Sequence, residues 1–207
     1  MVISDIQEFD KKRSRIYIDG EFAFLLYKGE LKDYGISIDA VISDEDYLEI
    51  TGSLLPKRAT KRAMNLLQKR DYTEKQLRDK LAEGLYPEKS IDAAIEYVRS
   101  YHYIDDERYI RDYISYHMTD KSRNRIVQDL MGKGISKDVL LPVMDELYEE
   151  SSENPEDSQI QRLLEKKHFS PDMDYNDKQK IIAFLLRRGF SLDSIRRNID
   201  DFRTDSF

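Results

Sequence analysis

The chain contains no cysteine, which excludes disulfides and cysteine-ligated zinc or iron–sulfur centres and points to a reducing, intracellular setting. Long apolar runs are also missing. The longest uncharged one, residues 181–186, is far too short to cross a bilayer. The opening residues Met1-Val2-Ile3-Ser4-Asp5 lack the basic and apolar regions of a secretory signal, so a cytoplasmic protein without membrane contact is expected. A cationic balance is absent as well. With a formal net charge of −7, free nucleic acid is not the main partner, and any direct DNA contact must be weak and come from local basic faces. Catalytic signatures are equally scarce. His102, His117 and His168 lie far apart with no metal-ligand spacing, and there is neither a GxxxxGK[ST] phosphate loop nor a GxGxxG turn. No enzyme activity, metal or cofactor is expected.

Glycine is rare too, and its few positions are informative. Beyond Tyr72 the only glycines are Gly84, Gly132, Gly134 and Gly189, and three of them close the same phrase: Leu81 to Gly84-Leu85, Leu130 to Gly134-Ile135, and Leu185 to Gly189-Phe190. A glycine just past the last helical turn takes the left-handed conformation that ends a helix, and the next apolar residue packs back on that turn. Each phrase precedes another helical apolar pattern: Ile91, Ile95, Val98; then Val139, Val143, Leu147; then Ile195, Ile199, Phe202. The spacing of these glycines, 50 and then 55 residues, is that of tandem helical units. Arrays of this kind suit an extended partner.

What is present supports several small cores. Of 207 residues, 40% are hydrophobic and 36% charged, a thin apolar share for one large core. The first 27 residues differ from the rest. Asp19-Gly20 between residues 15–18 and 21–26 is a hairpin signal, and residues 2–9 offer a third strand. Residues 44–54 read as a short helix capped by Ser43, which Pro56 separates from the array.

The fold class predicted is mainly α, with three tandem three-helix repeats in an elongated array behind a small β-hairpin region. The boundaries expected are 1–55, 56–103, 104–150 and 151–207. Helices are placed at 57–69, 73–83 and 87–101, with Thr73-x-x-Gln76 as a capping box and Pro87 in a first turn. The next three fall at 106–116, 122–133 and 136–150, where Pro142 implies a kink or a delayed start. Residues 149–157 hold five acids with Asn154 and Pro155, a linker composition that gives the third repeat some freedom. Its helices are placed at 156–167, 176–188 and 191–202.

Acidic Asp105-Asp106-Glu107 reads as a helix start, because carboxylates favour the positive end of the dipole. The cations are more informative. On a helical wheel Lys57, Arg58, Lys61, Arg62 and Lys69 share one arc opposite Ala59, Ala63, Leu66 and Leu67, and no acid occurs between Thr51 and Arg70. A purely cationic face in an acidic chain points to an anionic partner surface. Two further clusters are Lys121, Arg123, Arg125 and Lys133, and Arg187, Arg188, Arg196 and Arg197. Several of these also offset helix C-termini. Six tyrosines, Tyr97, Tyr101, Tyr103, Tyr109, Tyr113 and Tyr116, gather at the first repeat junction, where packing between units is the expected use and base stacking the other.

Several phrases together carry a family likeness. They are Ala63-Met64-Asn65-Leu66-Leu67 with Lys69-Arg70-Asp71-Tyr72-Thr73-Glu74, Leu77-Arg78-Asp79-Lys80-Leu81, Tyr103-Ile104-Asp105-Asp106-Glu107-Arg108-Tyr109, Gln128-Asp129-Leu130 through Lys133-Gly134-Ile135, and the hairpin Ile16 to Phe24. In order and spacing the chain resembles the RecX regulators of the RecA recombinase. It departs in having two residues, not three, between Leu81 and Gly84, and in a divergent third repeat. The resemblance implies a non-enzymatic inhibitor, acting as a monomer in DNA repair and the SOS response. Such proteins lie in the groove of the RecA filament on single-stranded DNA. There they limit filament growth, ATPase, strand exchange and coprotease function. The alternative is a helix-turn-helix-like DNA-binding module, although residues 88–94 at the start of the third helix hold no base-reading set.

Overall fold

A computed structural model describes residues 1–151 and 154–204, the last three by backbone alone. The expectations that fell on Ser152 and Glu153 of the linker, on the Phe202 side chain and on residues 205–207 lie outside the described residues. The chain forms two compact units, Met1–Asp105 and Asp106–Phe207.

The first unit opens with strands β1 (Ile3–Glu8), β2 (Arg13–Ile18) and β3 (Glu21–Tyr27), an antiparallel sheet in the order β1-β2-β3. Asp19 and Gly20 both take positive φ, 50° and 90°, as a two-residue hairpin turn demands. Alternation along β2 buries Ser14, Ile16 and Ile18. A short α1 (Glu30–Asp33) follows, then α2 (Asp44–Glu49), where the Ser43 hydroxyl accepts from the Asp46 N–H at 3.0 Å. Contrary to the expectation from sequence, Pro56 does not break the helix. The helix continues through a wide π turn, Ile50–Leu54, into α3 (Leu55–Leu67), with Pro56 in the first turn of α3. A proline lacks the amide that an α-helical continuation would use, and the π turn falls where that bond is lost.

Helix α3 joins two cores. Its Leu55 packs with Ile3, Ile16, Phe24, Leu26 and Ile50 under the sheet. One turn on, Ala59 and Ala63 join Leu77, Leu81, Ile95 and Val98 in the core of the first repeat, completed by α4 (Glu74–Ala82) and α5 (Glu88–Ser100). Thr73 and Gln76 form the capping box at the start of α4. Pro87 is the residue before α5 rather than its first turn.

In the second unit, α6 (Asp106–His117), α7 (Arg123–Met131) and α8 (Lys137–Glu149) enclose Ile110, Ile114, Ile126, Leu130, Leu140 and Met144. Helix α8 begins at Lys137 and runs on through Pro142, so no delayed start occurs. Helices α9 (Pro155–Lys166), α10 (Tyr175–Arg187) and α11 (Leu192–Thr204) enclose Ile160, Leu164, Leu185 and Ile195. Three three-helix repeats, each with its own small core, follow the sheet.

The glycine phrase holds in two repeats and shifts in one. Gly134 and Gly189 are left-handed, at φ 90° and 93°, after α7 and α10. In the first repeat Leu85 takes φ 59° instead. With one residue fewer after Leu81, the position four beyond that leucine falls on Leu85. Gly84 has another use: a Cβ there would lie 3.0 Å from both the Leu81 carbonyl and the Tyr86 ring. A left-handed leucine costs about 1–2 kcal/mol, strain that the other two closures avoid.

Candidate binding surfaces

On α3 the wheel reading separates into two kinds of cation. Lys57, Lys61 and Arg62 are exposed on the helix, while Ala59, Ala63 and Leu66 are buried; Lys69, expected in the last turn, is exposed but lies in the turn beyond the helix end at Leu67. Arg58 is a correction. It turns toward the sheet, where it pairs with Glu30, lies over the Tyr27 ring at 4.6 Å and donates to the Leu25 carbonyl at 3.4 Å. Glu30 also accepts from the Tyr27 N–H at 2.8 Å. The side chains of Arg58 and Glu30 are 18% and 21% exposed, so Arg58 ties the helix to the sheet and leaves little charge to offer a partner. A wheel gives an angle around one helix; it cannot place an acid 28 residues away in sequence.

The second cluster is largely committed within its own repeat. Lys121 donates to the Asp129 carboxylate and to the Tyr113 hydroxyl, both at 2.9 Å, and Arg125 meets Asp129 at 3.1 Å. Burial opposes ionisation of Asp129, but Lys121 and the Tyr113 hydroxyl outweigh it and hold the carboxyl below its ordinary value. Arg123 pairs with Asp145, and its guanidinium lies over Tyr148 at 5.4 Å. Lys133 sits over the rings of Tyr113 and Tyr109, at 5.4 and 5.9 Å. In the third cluster Arg187, Arg188, Arg196 and Arg197 are all exposed, with Arg188 over Phe184 and Arg197 3.4 Å from Asp157. Arg187 and Arg196 show no ion pair among the described residues.

The tyrosines divide between the units. Tyr97, Tyr101 and Tyr103 form a ladder, with ring centroids 4.8 and 5.9 Å apart, that stays 44%, 59% and 44% exposed. Tyr109 and Tyr113 stack within α6, and Tyr113 donates to Asp129 at 3.0 Å. Asp106 and Glu107 lie in the first turn of α6. Among the described residues no group of three or more acidic or histidine side chains could hold a metal. No described helix is long and apolar enough to cross a membrane.

A seam between the second and third repeats was not legible in the sequence. Ser122 caps α7, accepting from the Arg125 N–H at 3.3 Å, and donates its proton to the Arg188 carbonyl at 2.8 Å. Asn124 donates to the Gly189 carbonyl at 3.0 Å, and the Arg123 N–H donates to Glu156 at 2.8 Å. Gln159, 4% exposed, donates to the carbonyls of Met118 and Lys121, and Arg162 donates to that of Thr119 at 2.8 Å. These bonds replace the freedom that the acidic linker implied: α9 and the end of α10 are fastened to both ends of the turn between α6 and α7.

The seam has a measurable cost. Burial pushes the Glu156 carboxyl up, although the Arg123 N–H opposes this, and burial together with the Glu156 charge pushes the Tyr148 phenol up to about 12. A carboxyl with a raised folded value stabilises the fold only while protonated. Stability is therefore full below its unfolded value and falls as pH rises through the folded value. Glu156→Gln keeps an acceptor for Arg123 and removes the buried charge. Urea unfolding should find the variant more stable than the parent at pH 7, with the difference closing as pH falls toward the ordinary 4.5. A difference independent of pH would refute the assignment.

With the geometry in place, comparison with known proteins decides the family. Models of the first, second and third three-helix domains of RecX match residues 59–97, 105–140 and 155–199. The chain belongs to the RecX family. The regulatory protein RecX of Clostridium perfringens strain 13 is 33% identical over 202 residues, covering 91% of this chain and 89% of that protein. That of Caldanaerobacter subterraneus is 29% identical and covers 97% and 99%. The crystal structure of RecX from Lactobacillus salivarius superposes with a TM-score of 0.65 at 26% identity, over 73% of this chain and 99% of that one. A second RecX crystal structure, 22% identical with a TM-score of 0.64, shares the fold over 96% and 98%. RecX relatives are named regulatory proteins, and a regulatory role is the function that this membership supports.

Proposed function

We propose that this RecX protein restrains the RecA recombinase by lying in the groove of its filament on single-stranded DNA. Occupying that groove across neighbouring subunits limits filament growth, and with it ATP hydrolysis, strand exchange and coprotease function. The observation that carries the reading is the exposed, acid-free cationic face of α3 in a chain of net charge −7. Tandem repeats add modest interactions whose linkage raises avidity, and no described cluster of side chains resembles a catalytic centre.

The test is a titration into RecA filaments preformed on single-stranded DNA, following ATP hydrolysis. Inhibition at substoichiometric protein is expected, and reversing Lys57 and Lys61 to glutamate should weaken it about tenfold, in line with loss of one to two kcal/mol of interfacial charge pairing. An absence of inhibition, together with tight and salt-sensitive binding to bare duplex, would favour the helix-turn-helix reading instead. Helix α5 gives that reading little to work with, because Ser90 and Ile91 of its first turn are buried.

A further inference from the structure

None of the matched three-helix domains covers the sheet, yet the sheet forms one wall of a cleft in the first unit. Asp10, Lys11, Lys12, Arg13 and Tyr27 face Arg62, Lys80, Glu83, Gly84 and Tyr86 across a space of about 770 Å³. One wall is the β1–β2 loop and the edge of β3. The other is α3 with the end of α4. The loop is held by Asp10, whose carboxylate accepts the N–H groups of Lys12 and Arg13, each at 2.8 Å, and pairs with the Arg13 guanidinium at 2.7 Å.

The charges around this cleft do not cancel. Asp10 is occupied by Arg13, and Glu83 by Lys80 at 2.7 Å. Lys11, Lys12 and Arg62 have no ion pair among the described residues and are exposed. Two phenol rings complete the lining. Tyr27 is 41% exposed and backed by Arg58, and Tyr86 fits against Gly84, where a Cβ would press on its ring. The absence of a side chain at Gly84 lets the ring lie along the cleft wall. Surplus cations and an aromatic ring on each wall match the pattern by which proteins hold single-stranded nucleic acid: phosphates follow the cations and flat bases pack on the rings. An acidic peptide would satisfy the cations but leave the rings without flat partners.

We propose that this cleft between the β1–β2 loop and the first repeat is a binding site for single-stranded DNA, with Lys11, Lys12 and Arg62 contacting phosphates and Tyr27 and Tyr86 the bases. It shares Arg62 with the cationic face of α3, but Lys11 and Lys12 belong to the cleft alone and the site needs no recombinase.

The probe is a fluorescein-labelled oligothymidylate, titrated with the full chain over a range of salt and followed by anisotropy. Lys11→Glu/Lys12→Glu and Arg62→Glu should each weaken binding at least tenfold and flatten the salt dependence by about 0.7 for each phosphate that is no longer neutralised. Lys89→Glu, an exposed reversal elsewhere in the same unit, should leave both unchanged. Thermal melting should be the same for all variants. Equal weakening by Lys89→Glu would show bulk charge at work and overturn the proposal, as would unchanged binding by the cleft variants. Preferential capture of poly-glutamate over the oligonucleotide would overturn it in favour of an acidic protein segment. Absence of oligonucleotide binding with filament inhibition intact would remove this proposal alone.

Discussion

Gly189→Ala is expected to lower the stability of the second unit by about 3 kcal/mol, combining a left-handed penalty of roughly 1–2 kcal/mol with a similar overpacking cost. Gly189 has φ 93°, and a Cβ there would lie 2.6 Å from the Ser122 hydroxyl oxygen. That oxygen cannot move aside without surrendering either the cap of α7 or its bond to the Arg188 carbonyl. Gly20→Ala is the control, because Gly20 shares the positive φ and has nothing within 4 Å of a built Cβ. It should lose only the conformational part. Urea denaturation of both variants, with Ser122→Ala alone and combined with Gly189→Ala, separates the two contributions. A coupling of one to two kcal/mol, the double variant being less damaged than the sum, is the expected result for a direct clash. Simple additivity would mean that the seam relaxes around the new methyl.

The second large effect concerns the whole third repeat. Deleting residues 155–207 should weaken inhibition of preformed filaments tenfold or more, because linked repeats contribute avidity of about 10²–10⁴ beyond any single repeat. The same deletion should lower the melting temperature of the second repeat. It removes the acceptors of the Arg123 N–H and the Ser122 hydroxyl, and the donors to the carbonyls of Met118, Thr119 and Lys121. The first unit, with its separate cores, should melt as before. Unchanged inhibition in the shortened chain would count against groove occupancy, and an unchanged second repeat would count against the seam.

Much of this architecture is legible in the chain because its signals are local. Asp19-Gly20 specifies its turn through backbone conformation alone, and Thr73 with Gln76 marks the start of α4 through bonds spanning three residues. The repeat phrase also depends on one helical end at a time. Its misreading at Gly84 has the same origin: counting to the glycine, rather than four residues past Leu81, put the left-handed position one residue early. The Pro56 break failed because a π turn can absorb the missing amide without ending the helix.

The binding surfaces were less legible, since pairing is settled across distance. Nothing near Arg58 in sequence announces Glu30, and Arg123 finds Asp145 and Tyr148 on another helix. The cationic arc therefore keeps Lys57, Lys61 and Arg62, with Lys69 just past the helix end, but loses Arg58 to the sheet. Lys11, Lys12 and Lys80 carry no joint signal in the sequence, because no periodic pattern links a strand loop to the end of a helix. Gln159, a polar residue 4% exposed, is indistinguishable in sequence from a surface glutamine.

The bond from the Arg123 amide to Glu156 gives the molecule an internal reporter. Amide protons at the start of a helix ordinarily exchange readily, because no carbonyl of the preceding turn protects them. Here the first amide of α7 is held by a side chain of another repeat, so its exchange with deuterium should be governed by how often the third repeat lets go. A single backbone proton thus records the attachment of the last 50 or so residues, and a partner that pries the repeats apart would be visible there before any helix melts.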